Sequence, residues 1–415
     1  MTANSQEPQP AEPSAAAGDA LPGRGSPFEV FFAFLRLGLT SFGGPVAHIG
    51  YFRTEFVERR KWLDDRSYSD LVALCQFLPG PASSQVGMAL GMARAGWTGS
   101  FLAWLGFTAP SAVVLILFAF GVTQWGGFAE SGALQGLKIA AVAVVAQAVW
   151  GMANSLCPDR LRAGLAIFAA LLTLALPSAW GQIGAIVVSA VAGWLLLKLP
   201  HQLPSAHRPY GVSKRVGYVA LTLFTVLLVG LPLVAAGASS PLWSLIDGFY
   251  RAGALVFGGG HVVLPLLQAT VVPAGAVTNS GFLAGYGAAQ AVPGPLFTFA
   301  AYLGAAMSGP ITGWAGGLLF LAVVFAPAYL LIIGALPFWD ALRQRDGIQS
   351  VMGGVNAGVV GILLSALYDP VWTSAIHGRT EFGIALLAFG LLVYARISPP
   401  LVVAASAVAG WVLLG

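Results

Sequence analysis

Charged residues are scarce in this sequence. Asp, Glu, Lys and Arg together make up 9% of its 415 residues, whereas soluble globular chains carry about 25%. Hydrophobic residues account for 57%, and they form runs near the length of about 20 residues that a membrane-spanning helix needs. Because these runs are continuous and lack the short alternation of a transmembrane barrel, the sequence predicts an all-α polytopic membrane protein.

Groups for redox, metal and nucleic-acid chemistry are also few. The two cysteines, Cys75 and Cys157, have neither CxxC nor metal-ligand spacing, and no strand-framed GxGxxG is present. The net charge of +4 is ordinary for a membrane protein with basic cytoplasmic loops. We therefore expect no cofactor, no bound metal, no nucleic-acid partner and no enzymatic activity. Residues 1–27 lack the basic and apolar regions of a signal peptide, and we expect a disordered tail there.

The chain contains an internal repeat. Two motifs that interrupt apolar segments recur at offsets of 215 and 214 residues, and polar residues beside them recur as well. The aligned pairs are Arg36 with Arg251, Phe42-Gly43-Gly44 with Phe257-Gly258-Gly259, Gln76 with Gln290, and Pro79-Gly80-Pro81 with Pro293-Gly294-Pro295. We expect a first repeat at 28–198, a basic loop and linker helix at 199–240, and a second repeat at 241–415.

Each repeat is predicted to have two interrupted apolar segments followed by four uninterrupted ones. In the first repeat these span 28–59, 67–94, 99–123, 132–153, 161–177 and 180–198. In the second repeat they span 243–271, 281–307, 312–337, 348–368, 380–395 and 398–414, and the linker helix spans 216–236. A single linker helix would insert the second repeat in inverted topology, as in many secondary transporters.

Basic residues distinguish between two topologies. Five of them lie in the 51–66 loop and Arg94 follows the next interrupted segment, whereas the 271–280 loop has none. If every segment crossed the membrane, the 51–66 loop and Arg94 would lie on opposite sides. If each interrupted segment is a re-entrant hairpin, both lie inside. We therefore favour four hairpins and about nine crossings, with the N-terminus cytoplasmic and the C-terminus outside, over full crossing by every segment.

The interruptions themselves suit an anion site. Non-helical backbone persists in a bilayer only where protein or water satisfies its polar groups. Half-helices starting at Pro45 and Pro81 would direct their N–H groups, with partial positive charge, towards the breaks. Gly258-Gly259-Gly260 and Pro293-Gly294-Pro295 repeat the arrangement. Four such termini meeting near the midplane would bind an oxyanion. Gly and Pro are common in membrane helices, but chance is a poor explanation for two kinds of break at matching spacing.

Polar residues beside the breaks complete the predicted site. Arg36 and Arg251 lie inside apolar segments, where an arginine faces a cavity or a partner, or snorkels to the interface. We expect them to balance the anion, because a guanidinium matches oxyanion geometry. His48 and His261 do not align with each other. Each is a candidate to bind the anion, to carry a coupling proton or to serve only the fold.

Two aligned polar pairs, Gln76 with Gln290 and Ser84 with Thr298, are open to two interpretations. They would either bind substrate or satisfy local backbone groups, which is the commoner fate of a helical hydroxyl. The predicted substrate-binding residues are Arg36, Gly43, Gly44, Pro45, His48, Gln76, Gly80, Pro81, Ser84, Arg251, Gly258, Gly259, Gly260, His261, Gln290, Gly294, Pro295 and Thr298.

These motifs resemble a known family. The stretches "SFGGPVAHIGYF" and "RAGALVFGGGHVVLPLL", each followed by Q-x-x-PGP, look like the signatures of the chromate ion transporter (CHR) family in its long, two-domain form. The resemblance covers nearly all of 28–415. It implies an inner-membrane protein that exports chromate and confers resistance to it, with sulfate as the close analogue. The second repeat departs from the first in having FGGGH in place of FGGP-x-x-H.

The sequence thus predicts a secondary transporter for a tetrahedral dianion, with chromate efflux favoured and alternating access between two inverted units. Three alternatives are kept. They are transport of sulfate or a related oxyanion, a passive anion channel on the same scaffold, and a membrane-embedded enzyme such as a chromate reductase. The lipid bilayer is an expected partner, and a homodimer is left open.

Overall fold

A computed structural model of the chain describes residues 25–42, 44–124, 132–176, 179–197, 211–257, 260–339 and 347–414. Most of the predicted tail, at 1–24, and the first part of the linker lie outside these residues. Within them the fold is helical and has no strand, which confirms the predicted all-α class.

The helices coincide with the predicted segments to within a few residues. Those of the first repeat are α1 (Pro27–Thr40), α2 (Gly44–Arg53, extended by a π-helical turn at Thr54–Arg59), α3 (Asp65–Phe77), α4 (Ala82–Gln124), α5 (Gly132–Leu156), α6 (Arg160–Ala175) and α7 (Ala179–Leu196). The linker helix is α8 (Lys214–Gly237). Those of the second repeat are α9 (Pro241–Ala254), α10 (Val263–Val271), α11 (Asn279–Ala291), α12 (Phe299–Ala306), α13 (Gly313–Ala335), α14 (Ile348–Ala366), α15 (Arg379–Val393) and α16 (Pro399–Leu414).

The half-helices begin slightly differently from the prediction. In the first repeat they start at Gly44 and Ala82, each within one residue of the predicted proline. In the second repeat short 3-10 turns, Gly260–Val262 and Leu296–Thr298, precede α10 and α12. Gly96, with φ +66°, divides α4 into a half-helix at 82–94 and a long helix at 97–124.

The interrupted segments of the first repeat fold back on themselves as hairpins. The Phe34 ring of α1 lies 5.4 Å from that of Phe52 and 4.8 Å from that of Phe56, beyond the break. At the open end, the Arg94 carbonyl accepts a hydrogen bond from the Gly25 N–H at 3.0 Å. Because α1 is about 20 Å long at 1.5 Å per residue, it would reach only part-way through the hydrocarbon core of about 30 Å.

The second repeat has the same hairpins. Gly248 of α9 packs against Thr270 of α10. The Ser308 N–H beyond α12 donates to the Ala276 carbonyl before α11 at 2.8 Å, so both hairpins open at this end. The long part of α4 and α13 are antiparallel, since Phe120 lies 6.2 Å from Trp314 and Trp104 lies 5.7 Å from Phe325. The hairpin openings of the two repeats are therefore separated by the length of 97–124, about 40 Å.

Five described helices are long and apolar enough to span a membrane. They are α4, α5, α8, α13 and α14. The other four of the nine predicted crossings, α6, α7, α15 and α16, have 15 to 18 residues. At 1.5 Å per residue they measure about 22 to 27 Å. The number of crossings stays a prediction.

One helix of each repeat, α5 or α14, packs against the last two helices of the other repeat. α5 contacts α15 and α16, and α14 contacts α6 and α7. Glycines allow the backbones to approach, because a Cβ on Gly136 of α5 would meet the Ser406 carbonyl and a Cβ on Gly354 of α14 would meet that of Ser189. This exchange interlocks the two repeats and places α5 beside the hairpin tips.

Candidate functional site

The four helix breaks meet through two equivalent backbone hydrogen bonds. The Gly80 N–H donates to the Val256 carbonyl at 2.6 Å, and the Gly294 N–H donates to the Ser41 carbonyl at 2.9 Å. Gly80 and Gly294 are repeat-equivalent, as are Ser41 and Val256. Each PGP break is thus joined to the glycine break of the other repeat. The φ values of +118° at Gly80 and +98° at Gly294 lie in the region that favours glycine.

A cavity of about 510 Å³ extends from these breaks to the turn between α15 and α16. Its inner wall includes Gly44, Pro45 and Gly294 of the breaks. Among its described lining residues, Arg396 is the single one with a formal charge, and it lies exposed in the turn at the mouth. The start of α2 also faces the cavity, and its first N–H groups carry partial positive charge. The cavity therefore favours an anion.

Two side chains of the second repeat add hydrogen-bond donors to this cavity. His261 and Gln290 line it, and the His261 Nδ1 lies 2.6 Å from the hydroxyl of the buried Tyr286. If the phenol donates to Nδ1, then Nε2 carries the imidazole hydrogen and is a donor. The Gln290 amide nitrogen is buried, and the Gln290 side chain lies within reach of the same Tyr286 hydroxyl.

The structure does not bring the two predicted arginines to this cavity. Arg251 forms an ion pair with the buried Asp247, one turn earlier on α9. Arg36 is exposed on α1 and is absent from the described linings of the cavity above and of a smaller one of about 280 Å³. The smaller cavity is lined by Gln76, so the aligned glutamines face different cavities.

The remaining predicted residues lie around the breaks. Pro81 and Pro295 are buried, and Gly260 faces Pro45 across the interface. The Thr298 hydroxyl donates to the Pro295 carbonyl at 2.8 Å, so it serves the local backbone. Gly43, Gly258 and Gly259 lie outside the described residues.

His48 is turned away from the cavity. Only 1% of its surface is exposed, its Nδ1 lies 3.4 Å from the Ser83 hydroxyl, and its ring meets Phe107 edge-on at 5.2 Å. Ser84, which follows Ser83, is also buried. The two histidines that follow a break thus have different surroundings.

Sequence reasoning missed Tyr286, Arg396 and Asp247. Tyr286 and Asp247 each lie four residues from a predicted site residue on the same helix, Gln290 and Arg251 respectively, and this spacing places them on one face. That signal was available in the sequence. Arg396 belongs to a short turn whose sequence contains nothing that directs it towards the breaks.

Known proteins match both repeats of this chain. A family model described as "Chromate transporter" matches residues 28–194 and again 243–411. A chromate transport protein of Pseudomonas aeruginosa is 29% identical over 99% of this chain and 98% of its own length. A probable chromate transport protein of Synechococcus elongatus is 26% identical, over 91% and 93%. A chromate transport protein of Cupriavidus metallidurans is 26% identical, over 91% of both. No solved structure matches the chain.

Proposed function

Because the chain belongs to the chromate transporter family, we propose that it is a secondary transporter that exports chromate through the cavity between its two repeats. The observation that carries this proposal is the cavity of about 510 Å³ that reaches Gly44, Pro45 and Gly294 of the helix breaks and is lined by one cation and no acid among its described residues. The names of the relatives favour chromate over sulfate as the substrate.

The anion would bind at the inner end of the cavity. Nε2–H of His261, the amide of Gln290 and the first N–H groups of α2 would donate to its oxygens. Hydrogen bonds to a charged oxygen are about twice as strong as neutral ones, so three or four donors suffice to replace much of its hydration. Arg396 at the mouth would raise the local concentration of a dianion.

We further propose that the repeats, bounded at 28–198 and 241–415, cross an inner membrane in opposite directions. Support comes from the hairpin openings, which lie at opposite ends of the long part of α4. The basic 51–66 loop and Arg94 favour a cytoplasmic location for the first repeat's openings and the N-terminus, and hence an outside C-terminus. Movement of the hairpins against α5 and α14 would then expose the breaks alternately to each side.

The transport experiment uses inverted vesicles that contain the full chain. Uptake of chromate is expected to depend on the protein and to exceed equilibrium when an ion gradient is imposed, with excess sulfate as competitor. Both Cr(VI) and total chromium are measured. Flux that never exceeds equilibrium would indicate a passive channel, loss of Cr(VI) at constant total chromium a reductase, and sulfate uptake without chromate uptake a sulfate transporter.

Replacement of Arg396, the charged residue at the mouth of the cavity, is expected to change KM for chromate in a salt-dependent way. Arg396→Gln should raise KM for chromate several-fold at low ionic strength, with kcat little changed, because steering acts on encounter. The difference should shrink as salt is added, since the Debye length falls from about 30 Å at 0.01 M to about 10 Å at 0.1 M. Arg396→Lys should restore KM. Arg379→Gln, an exposed arginine at the other end of α15, is the matched control. Equal KM values in R396Q and R379Q at low salt would contradict steering.

Tyr286 is expected to act as a positioning residue through His261. Tyr286→Phe retains the ring but removes the 2.6 Å contact with Nδ1, so the imidazole is free to place its hydrogen on either nitrogen. KM for chromate should rise about tenfold, for the loss of about 1.4 kcal/mol of binding, and the pH profile of KM should shift. A merely structural tyrosine would change thermal stability and leave the pH profile as it is.

A further inference from the structure

The smaller cavity of about 280 Å³ lies where the second hairpin of the first repeat meets four other helices. The hairpin contributes α3, and the other walls come from the ends of α5, α6, α13 and α14. No described residue lines both this cavity and the larger one of about 510 Å³. Its volume is near the lower end of the range of about 300–1,000 Å³ for drug-sized ligands, so it suits a small ligand.

The polar lining of the smaller cavity is rich in hydrogen-bond donors and has no acid among its described residues. Arg162 is the one described lining residue with a formal charge, and Gln76, Gln349 and Asn356 add side-chain amides. Trp339 also lines the cavity. It is only 8% exposed, and its indole N–H has no hydrogen-bond partner in the described part of the chain. Such a lining suits an anion and disfavours a cation.

The Arg162 guanidinium is fixed at one edge and open at the other. Its Nε donates to the Asp159 carboxylate at 2.6 Å, and the Arg162 backbone N–H donates to the same carboxylate at 2.9 Å. Among the described residues, none accepts a hydrogen bond from the two terminal nitrogens. The Asp159 side chain is 45% exposed and does not line the cavity, so water screens its charge. A terminal guanidinium fork binds an oxyanion through paired hydrogen bonds.

The start of α14 adds partial positive charge to the same cavity. Ile348 and Gln349, its first residues, line the cavity, and the N-cap residue Gly347 supplies no side-chain cap. Gln76 of α3 is the repeat equivalent of Gln290, which lines the larger cavity. Each repeat therefore places the glutamine before its PGP break in a cavity whose described lining has a single arginine and no acid.

We infer that the smaller cavity is a second oxyanion site, which binds a tetrahedral dianion of the size of sulfate between the hairpin and the surrounding helices. Gln76 of α3 and Arg162 of α6 would donate to the anion from different helices, with the Trp339 indole as a further donor. Because Gln76 lies three residues before Pro79 of the PGP break, a bound anion would hold this hairpin in place. The binding is independent of the proposed function, whereas an effect on transport rests on it.

The binding test is equilibrium dialysis of radiolabelled sulfate against the purified full chain, in a detergent without phospholipid and at constant ionic strength set with KCl. Arg162→Gln should lose one sulfate site, because affinity falls at least about tenfold without the charge-assisted hydrogen bonds. Arg160→Gln is the matched control. It removes the same charge from the same turn, but Arg160 is exposed and absent from the described lining. Equal sulfate binding in R162Q and R160Q overturns the inference, whatever the transport assay shows.

Two further variants keep the test decisive if R162Q loses its fold together with the Asp159 contact. Gln76 is exposed on α3, so Gln76→Leu should keep the unfolding midpoint and weaken sulfate binding several-fold. Sulfate binding in Q76L equal to that of the unmodified protein would contradict the contact with the hairpin. His261→Ala alters only the larger cavity and should retain the Arg162-dependent site. Loss of that site in H261A would place the sulfate in the larger cavity and overturn the inference.

Phospholipid distinguishes a free anion from a lipid headgroup, because both present phosphate-type oxygens. Addition of phosphatidylglycerol to the dialysis should leave the Arg162-dependent sulfate in place. Its displacement at one lipid per chain would identify a headgroup as the occupant and overturn the free anion.

The effect on transport is measured in inverted vesicles, with sulfate added to the outer solution. Sulfate should lower kcat for chromate in the unmodified protein and in R160Q, because the occupied site holds the hairpin. In R162Q sulfate should only raise KM, through competition at the larger cavity. Equal decreases of kcat in R160Q and R162Q would contradict the hold on the hairpin, while the dialysis result would decide the binding separately.

Discussion

Replacement of Gly294 by alanine is expected to abolish chromate transport while leaving a folded protein of reduced stability. The φ of +98° alone costs about 1–3 kcal/mol for a residue with a side chain. A Cβ would also lie 2.8 Å from the Ser111 hydroxyl and 3.2 Å from the Phe107 carbonyl. The backbone must therefore shift at the point where it lines the cavity and donates to Ser41. Transport is measured in vesicles and stability by thermal unfolding.

Gly275→Ala separates the effect of backbone strain from the effect of the Cβ contacts that shift the cavity wall. Gly275 has φ +68° but lies exposed in a turn, and a Cβ there meets nothing within 4 Å. G275A should therefore lose stability through backbone strain and keep its transport rate. If G294A transported chromate as fast as G275A, the joined breaks would not be part of the transport site.

Replacement of His261 by alanine has the second largest expected effect. The imidazole lines the cavity and, with Nδ1 held by Tyr286, offers Nε2–H to the anion. A hydrogen bond to a charged group contributes about 1.5–3 kcal/mol. Its loss should raise KM for chromate about 10- to 100-fold, at tenfold for each 1.4 kcal/mol. The measurement is initial uptake over a range of chromate concentrations.

His377→Ala is the matched control for this prediction. His377 lies exposed between α14 and α15 and is absent from the described linings of both cavities. Its KM should equal that of the unmodified protein. An unchanged KM in H261A, with normal expression, would remove His261 from the site and transfer the donor role to Gln290 and the helix ends.

The surroundings of Arg36 and Arg251 differ from those predicted from the sequence. The alignment of these arginines and their place within apolar segments were read correctly, and these features favour a buried partner. Arg251 forms an ion pair with Asp247, one turn away on the same helix. The four-residue spacing of this pair is present in the sequence. Arg36 has no such acid, and its exposure depends on the orientation of α1.

For the two histidines, the sequence contains no signal that predicts their different surroundings. His48 and His261 follow similar breaks, and no local feature separates their roles. His48 packs on Phe107 of α4, whereas His261 contacts Tyr286 of α11 and reaches the cavity. These neighbours are distant in sequence, so the difference could not be predicted.

The sequence by itself determined the membrane class, the duplication, the positions of the breaks and the family. These properties depend on apolar run length, on repeat spacing and on the backbone chemistry of glycine and proline, none of which requires knowledge of how the helices pack. Only the tertiary structure decided which breaks join, which polar residues share a cavity and which cation lies at its mouth. The reason is that Gly80 bonds to Val256, Gly294 to Ser41, and Arg396 shares a cavity with the start of α2 only through helix packing between repeats.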